Sequence, residues 1–176
     1  MADISPISCP TAKEIDLLLN SIDRYNKTEL DKLITYFQKS TIENTSNLEV
    51  CLAILKLYQF FPEKADLATT KSILLKCLCY LPSNDFTACL YLLTEKDLQD
   101  PGMVQLKEMN RLLESCLFSE FWSFLTMNSD IVNITVKIAG KSYSSELVGF
   151  SDHIRKYIVH IVILTYQVCL FILQFL

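Results

Sequence analysis

Between Asn47 and Leu81 the apolar residues fall into two consecutive stripes. Leu48, Cys51, Leu52, Leu55 and Tyr58 recur at the three- and four-residue spacing of one helix face. Leu67, Leu74, Cys77, Leu78 and Leu81 repeat the pattern. Pro62 and Pro82 close the two stripes, because a proline pushes the residue before it out of helical geometry. The pair predicts a helical hairpin whose apolar faces need neighbours to bury them.

The flanking sequence supplies those neighbours, and three cap-like pairs mark helix starts. Thr11 with Glu14, Asn26 with Glu29, and Ser46 with Glu49 each set a side-chain acceptor three residues ahead of a Glu. The first helix is expected to turn Ile15, Leu18, Leu19 and Ile22 inward. The second would bury Leu30, Leu33, Ile34 and Phe37, leaving Lys32 and Lys39 in solvent. Beyond Pro82, Ser83 to Asp85 open a fifth helix with Phe86, Leu90 and Leu93 on one face. Asp100 followed by Pro101 opens a sixth, presenting Val104, Leu112, Leu113 and Cys116. A short seventh surrounds Phe121, Trp122 and Leu125. Antiparallel helices joined by short polar turns predict an all-α fold, either an α-solenoid or an irregular bundle.

From Ile131 the pattern changes. Ile131 to Ala139 alternates branched apolar and polar residues, and Gly140 to Ser145 is small and polar. The stretch is compatible with a strand followed by a loop or with a disordered insertion, since a lone strand has no ladder partner. Ser151 and Asp152 then read as the cap of a last helix that begins with Arg155 and Lys156 and carries no charge from Tyr157 to Leu176. The chain divides accordingly into a flexible start (1–10), a helical domain (11–130), a linker or inserted segment (131–150) and a final helical segment (151–176).

Composition narrows the function classes. A chain of 176 residues that is 51% hydrophobic can close a core, which argues against disorder. Sixteen Lys and Arg against twenty Asp and Glu give a net charge of −4, so there is no general pull toward nucleic acid or acidic lipid. Met1 to Pro10 lacks a basic start and an apolar run, so a reducing compartment is expected and the seven cysteines read as thiols. Cys51, Cys77, Cys79, Cys89 and Cys116 are expected at helical core positions as small hydrophobes.

Candidate chemistry does not assemble. Gly140, Lys141 and Ser142 imitate the end of a phosphate-binding loop, but the required first glycine falls on Thr135. Cys77 and Cys79 are too close for a zinc knuckle, and Cys89 and Cys116 have no nearby His. His153 and His160 share a face of the last helix without carboxylates to complete a metal site or a base with its orienting group. The sequons at Asn26, Asn44 and Asn133 read as turn and cap residues. Tyr36, Phe37, Tyr58, Phe60, Phe61, Phe121 and Trp122 follow apolar spacing without an interleaved basic stripe, which speaks for core over a nucleic-acid face. No catalytic, cofactor-binding or metal residue is assigned, and partner-binding residues stay unassigned.

Specific segments carry a family resemblance. Ile22-Asp-Arg-Tyr-Asn26, the run from Asn47 to Pro62, Ile73 to Leu78, Leu81 to Thr87, Leu113 to Cys116, Phe121-Trp122, Gly149 to Ile158 and Thr165 to Gln167 resemble the K subunits of eukaryotic translation initiation factor 3, in the family's order. The resemblance implies a HEAT-like helical domain followed by a winged helix, the two forming a PCI-type module. It also implies a non-enzymatic cytoplasmic scaffold subunit, with the L subunit as neighbour and the small ribosomal subunit reached through the complex. No cofactor and no sequence-specific nucleic-acid contact are implied.

Two segments depart from that pattern. Val136 to Val148 looks inserted, and Val168 to Leu176 replaces the expected amphipathic continuation, so only the first winged-helix helix is expected here. An alternative or mispredicted transcript would account for both. The competing reading takes the apolar end as a membrane anchor flanked by Arg155 and Lys156. His160, Thr165, Gln167 and Gln174 are poor company in lipid and weigh against it. A thiol-nucleophile enzyme, the third reading, would require an exposed cysteine with a depressed pKa.

Overall fold

The computed structural model describes residues 10–45, 47–138, 141–147 and 149–166. Expectations for the start of the chain, Ser46, Gly140 and the apolar end from Val168 lie outside these residues.

Thr11 opens α1 (Ala12–Leu19) with a reciprocal box: its hydroxyl accepts from Glu14 N, and Glu14 Oε2 accepts from Thr11 N at 2.8 Å. α1 stops earlier than its apolar spacing suggests. Ser21 Oγ accepts from Asp23 N and starts a separate 3-10 turn, Ile22–Tyr25, which leaves Ile22 89% exposed where an inward side chain was expected. Asn26 likewise caps a 3-10 turn, and α2 (Leu30–Ile42) begins after it, burying Leu30, Leu33 and Phe37 while Lys32 and Lys39 face solvent.

α3 (Leu48–Phe60) starts at Asn47, whose Oδ1 accepts from Glu49 N and Val50 N at 3.0 and 3.3 Å. α4 (Leu67–Leu78) starts at Asp66 in the same manner. These two helices form the centre. α3 buries Val50, Ala53, Ile54 and Leu57 besides Cys51, Leu55 and Tyr58, and every α4 residue from Ser72 to Leu78 is buried. Burial on more than one face explains why both helices are so apolar. At roughly 1.5–3 kcal/mol for each fully buried Leu or Ile side chain, this pair is the main source of stability.

The remaining elements wrap that pair. α5 (Asp85–Leu90) brings Phe86 and Cys89 into the core, and α6 (Glu95–Leu98) is a single turn opened by a Thr94–Asp97 box that the sequence reading did not mark. α7 (Pro101–Glu114) starts at Asp100 as expected and packs on α4. Its buried stripe is Met103, Leu106, Met109, Leu112 and Leu113, so Val104 is 52% exposed and not inward. α8 (Phe118–Met127) packs on α7, with Phe121 fully buried.

A hairpin interrupts the helices. β1 (Asn133–Ile138) pairs antiparallel with β2 (Lys141–Glu146), in register from Asn133 opposite Glu146 to Ile138 opposite Lys141. The strand expectation therefore holds for the first half. The ladder partner thought to be missing is the small polar segment that reads as a loop. β1 runs beside α4, and Val132 and Leu147 at the two ends of the hairpin are both buried.

α9 (Phe150–Thr165) follows. Its N-cap is Gly149 at φ +74°, with no side-chain cap; Ser151 and Asp152 lie inside the first turn, and Asp152 accepts from Arg155 at 3.0 Å. The core-forming elements are thus all helical, as the periodicity predicts.

Candidate interaction site at the last helix

The point where α9 meets the helical body gathers more specific side-chain chemistry than any other part of the described structure. Phe150, Ile154 and Tyr157 recur at four- and three-residue spacing and are buried, at 7% exposure or less. Tyr157 donates from its hydroxyl to the Leu113 carbonyl at 3.4 Å and meets the Phe118 ring edge-on at 6.3 Å. Burial pushes its phenol above the ordinary value. On the α8 side, the Arg155 guanidinium lies 5.6 Å from the Trp122 ring centroid.

The other side of the seam is polar. Asn44 sits at φ +54° just beyond α2, where Asn44 N donates to Thr41 O and Thr45 N to Ser40 O at 3.3 and 2.8 Å. This is a Schellman closure with asparagine in the left-handed position that glycine usually takes. The carboxamide is used twice. Lys76 Nζ donates to Asn44 Oδ1 at 2.9 Å, and Asn44 Nδ2 lies 3.1 Å from His153 Nε2 on α9. Lys76 is 1% exposed, and its ammonium also lies 5.7 Å from the Tyr80 ring centroid. Burial lowers its pKa. Gly149 belongs to the same arrangement: a Cβ there would come within 3.3 Å of Asn44 Nδ2 on a backbone already at positive φ.

The histidines are therefore separated by their surroundings. His153 faces the body, held below the ordinary imidazole value by burial and by the Lys76 and Lys156 charges. His160 is exposed, because the fully buried stripe of α9 ends at Tyr157. Among the described residues no group of three or more His, Cys, Asp or Glu side chains converges on a point that could hold a metal ion.

The cysteines divide as well. Cys51, Cys77, Cys79 and Cys89 are buried, whereas Cys116, expected inward, is exposed. Its backbone explains this: Cys116 ends α7 at φ +58° in a second Schellman closure, which turns the side chain off the α7 face. Cys77 and Cys89 bring their sulfurs to 3.7 Å. Hydrogen bonding to Cys51 and Cys89, with burial, holds the Cys77 thiol well above its usual value, and burial pushes Cys79 up to about 12. Both are poor thiolates, the opposite of what a nucleophile needs.

Asn44 and Lys76 were not singled out for this role by sequence reasoning. A detectable signal existed: Lys76 is a lone charge inside the run Ile73 to Leu78 on a helix buried almost all round. Elsewhere the surface carries a second apolar feature. Tyr25 and Phe60, 44% and 57% exposed, stack edge-on at 6.1 Å next to the exposed Ile22. Among the described residues no helix is long and apolar enough to cross a membrane.

Helices that bury a central pair and seat one more helix along its flank define an all-helical module. A family model described as the CSN8/PSMD8/EIF3K family matches residues 64–169, and the chain belongs to that family, a PCI-like helical class. Its similarity extends to individual relatives. The chain is 38% identical over 150 residues to the eukaryotic translation initiation factor 3 subunit K of Xenopus laevis and to that of Homo sapiens, covering 85% of this chain and 63% of each relative. The subunit K of Culex quinquefasciatus is 35% identical over 153 residues, 87% of this chain and 64% of the relative. The chain thus spans less than two thirds of the length of these relatives.

Proposed function

We propose that the protein is a non-catalytic scaffold subunit of translation initiation factor 3, acting in the cytoplasm and supporting small-ribosomal-subunit binding by the assembled complex. The observation that carries this is the 38% identity over 150 residues with subunits K, a span of 85% of the chain that no short shared motif could produce. The site chemistry agrees with a scaffold: Lys76, Asn44, His153 and Tyr157 at the α9 seam are engaged in holding one element to another. Residues 11–130 act as the HEAT-like helical domain, and α9 as the first helix of a winged-helix segment within a PCI-type module. Subunit L is the expected neighbour, and sequence-specific nucleic-acid contacts are not part of the role, in keeping with the net charge of −4.

Co-purification tests this. The tagged chain, expressed in cells beside a full-length subunit K as control, should bring down the other initiation-factor subunits. Recovery with the complex supports the reading and shows that the helical body suffices for entry. If the control recovers the complex and this chain recovers none of its subunits, the scaffold assignment for this chain is wrong.

A further inference from the structure

The Asn44 carboxamide has one orientation open to it. Lys76 Nζ carries donors only, so the Asn44 atom 2.9 Å away must be the oxygen. The amide nitrogen then points its hydrogens at His153 Nε2, 3.1 Å away, and that ring nitrogen must offer a lone pair. The proton of the neutral ring is thereby placed on Nδ1, and the Cys79 backbone lies close enough to the ring to favour a proton on it. Each link constrains the next, and the first link is a side chain 1% exposed that does not rearrange into solvent.

We infer that the first turn of α9 is fastened to the helical body by a proton-counting relay, Lys76–Asn44–His153, that accepts only neutral His153 and loosens when this histidine takes up a proton. A proton on Nε2 sets an N–H against the Asn44 NH₂. Rotating the carboxamide by half a turn moves the conflict without removing it, because the NH₂ then faces the Lys76 ammonium.

The two cations nearest the ring act in the same direction. Lys76 from α4 and Lys156 from α9 both oppose a charged imidazole, while Asp152, 72% exposed and paired with Arg155, favours it weakly. The Tyr80 ring, 5.9 Å from the His153 ring, and the Cys79 and Cys51 thiols around the Lys76 ammonium complete the groups that face the relay. Burial is the largest cause of the depressed His153 pKa. The unfolded chain binds this proton near the ordinary value of about 6.5, and the folded one binds it lower. Stability from the relay is therefore complete above about pH 6.5 and is lost as pH falls through the folded value.

The chain has two histidines, so its imidazole signals are few enough to follow one by one. Long-range nitrogen–proton NMR on the full chain, with His153→Gln to assign the signals, should show His153 as the Nδ1–H tautomer at pH 7.5. It should titrate below the ordinary imidazole value of about 6.5, with amide exchange at 150–154 accelerating as it does so. Asn44→Asp then reverses the sign. Aspartate tolerates the left-handed backbone, and its carboxylate accepts from both Lys76 and a protonated His153. The proton affinity of His153 should rise at least tenfold in this variant. An Nε2–H tautomer in the natural chain, titration of His153 at or above the ordinary imidazole value, or an unmoved His153 in folded Asn44→Asp would each overturn the relay. If Asn44→Asp does not fold, the tautomer and titration of the natural chain decide alone.

Discussion

Two helices of this protein end in the same backbone closure with different residues in the left-handed position, and replacing each by glycine should move stability in opposite directions. Cys116 at φ +58° is exposed, and its side chain offers nothing that glycine would remove from the core. A left-handed conformation costs a non-glycine residue roughly 1–2 kcal/mol, against about 0.4–1 kcal/mol of added unfolded-chain entropy for glycine. Cys116→Gly should therefore stabilise by about 0.5–1 kcal/mol. Asn44 occupies the same position at φ +54° at lower cost, since asparagine enters this region readily. Its side chain holds the buried Lys76 ammonium and His153. Losing a hydrogen bond to a charged group costs roughly 1.5–3 kcal/mol, and the neutral bond adds about 1. With the small backbone relief offset by the glycine entropy, Asn44→Gly should destabilise by about 2.5–4 kcal/mol. Urea unfolding at pH 7.5 with a common m-value resolves both, with Tm shifts of about 2–4 °C per kcal/mol for a chain of this size. Equal stabilisation by both glycines would show that the Asn44 bridge contributes nothing, and destabilisation by Cys116→Gly would remove the backbone argument.

Leu55→Asp, which sets a carboxylate without a partner at a site 1% exposed, should cost several kcal/mol; a melting curve like that of the natural chain would mean that the α3 face is wrongly assigned. Cys116 should react with Ellman's reagent in the native protein, whereas Cys51, Cys77, Cys79 and Cys89 should react only on unfolding, a difference that mass mapping of the modified sites reads directly. The Tyr58 phenol, pushed up to about 12 by burial, should ionise above the ordinary tyrosine value, as the difference between absorbance titrations of the natural chain and Tyr58→Phe reads. The folded state keeps that proton longer than the unfolded one, so the Tyr58 contribution to stability is complete below about pH 10 and falls away between 10 and 12.

The helices that were easiest to read are those with a continuous apolar stripe. α3 and α4 carry one, although their caps, Asn47 and Asp66, were not the residues marked from sequence, and Asp100–Pro101 marks the start of α7 without help from packing. The misplaced residues lie where a local turn overrides periodicity. Ile22 keeps helical spacing with Leu19, but the Ser21 hydroxyl ends the helix between them. Cys116 keeps spacing with Leu112, but the chain enters the left-handed region at that residue. Val104 and Met103 are adjacent apolar residues at the start of α7, and only the direction of approach to α4 decides which is buried. β2 had no apolar alternation to announce it, since Lys141 to Glu146 is mostly serine and charge, and its pairing comes from β1 beside it. The seam at α9 was half legible: Phe150, Ile154 and Tyr157 show the helical period, but the Lys76 to Asn44 contact joins residues 32 apart and Asn44 to His153 joins residues 109 apart. No periodicity spans such distances.

The Leu147 N to Val132 O hydrogen bond, 3.1 Å long, closes the hairpin at its base. The chain leaves the body at one buried residue and re-enters it at another directly alongside. β1 and β2 thus form an excursion with a sealed doorway, its first strand laid beside α4, and its length is decoupled from the path that carries α8 into α9. Loop-closure entropy grows only slowly with length, so longer or shorter versions of this excursion leave the rest of the architecture unchanged. Insertions are better carried by the hairpin than by the doorway itself, whose two residues are buried.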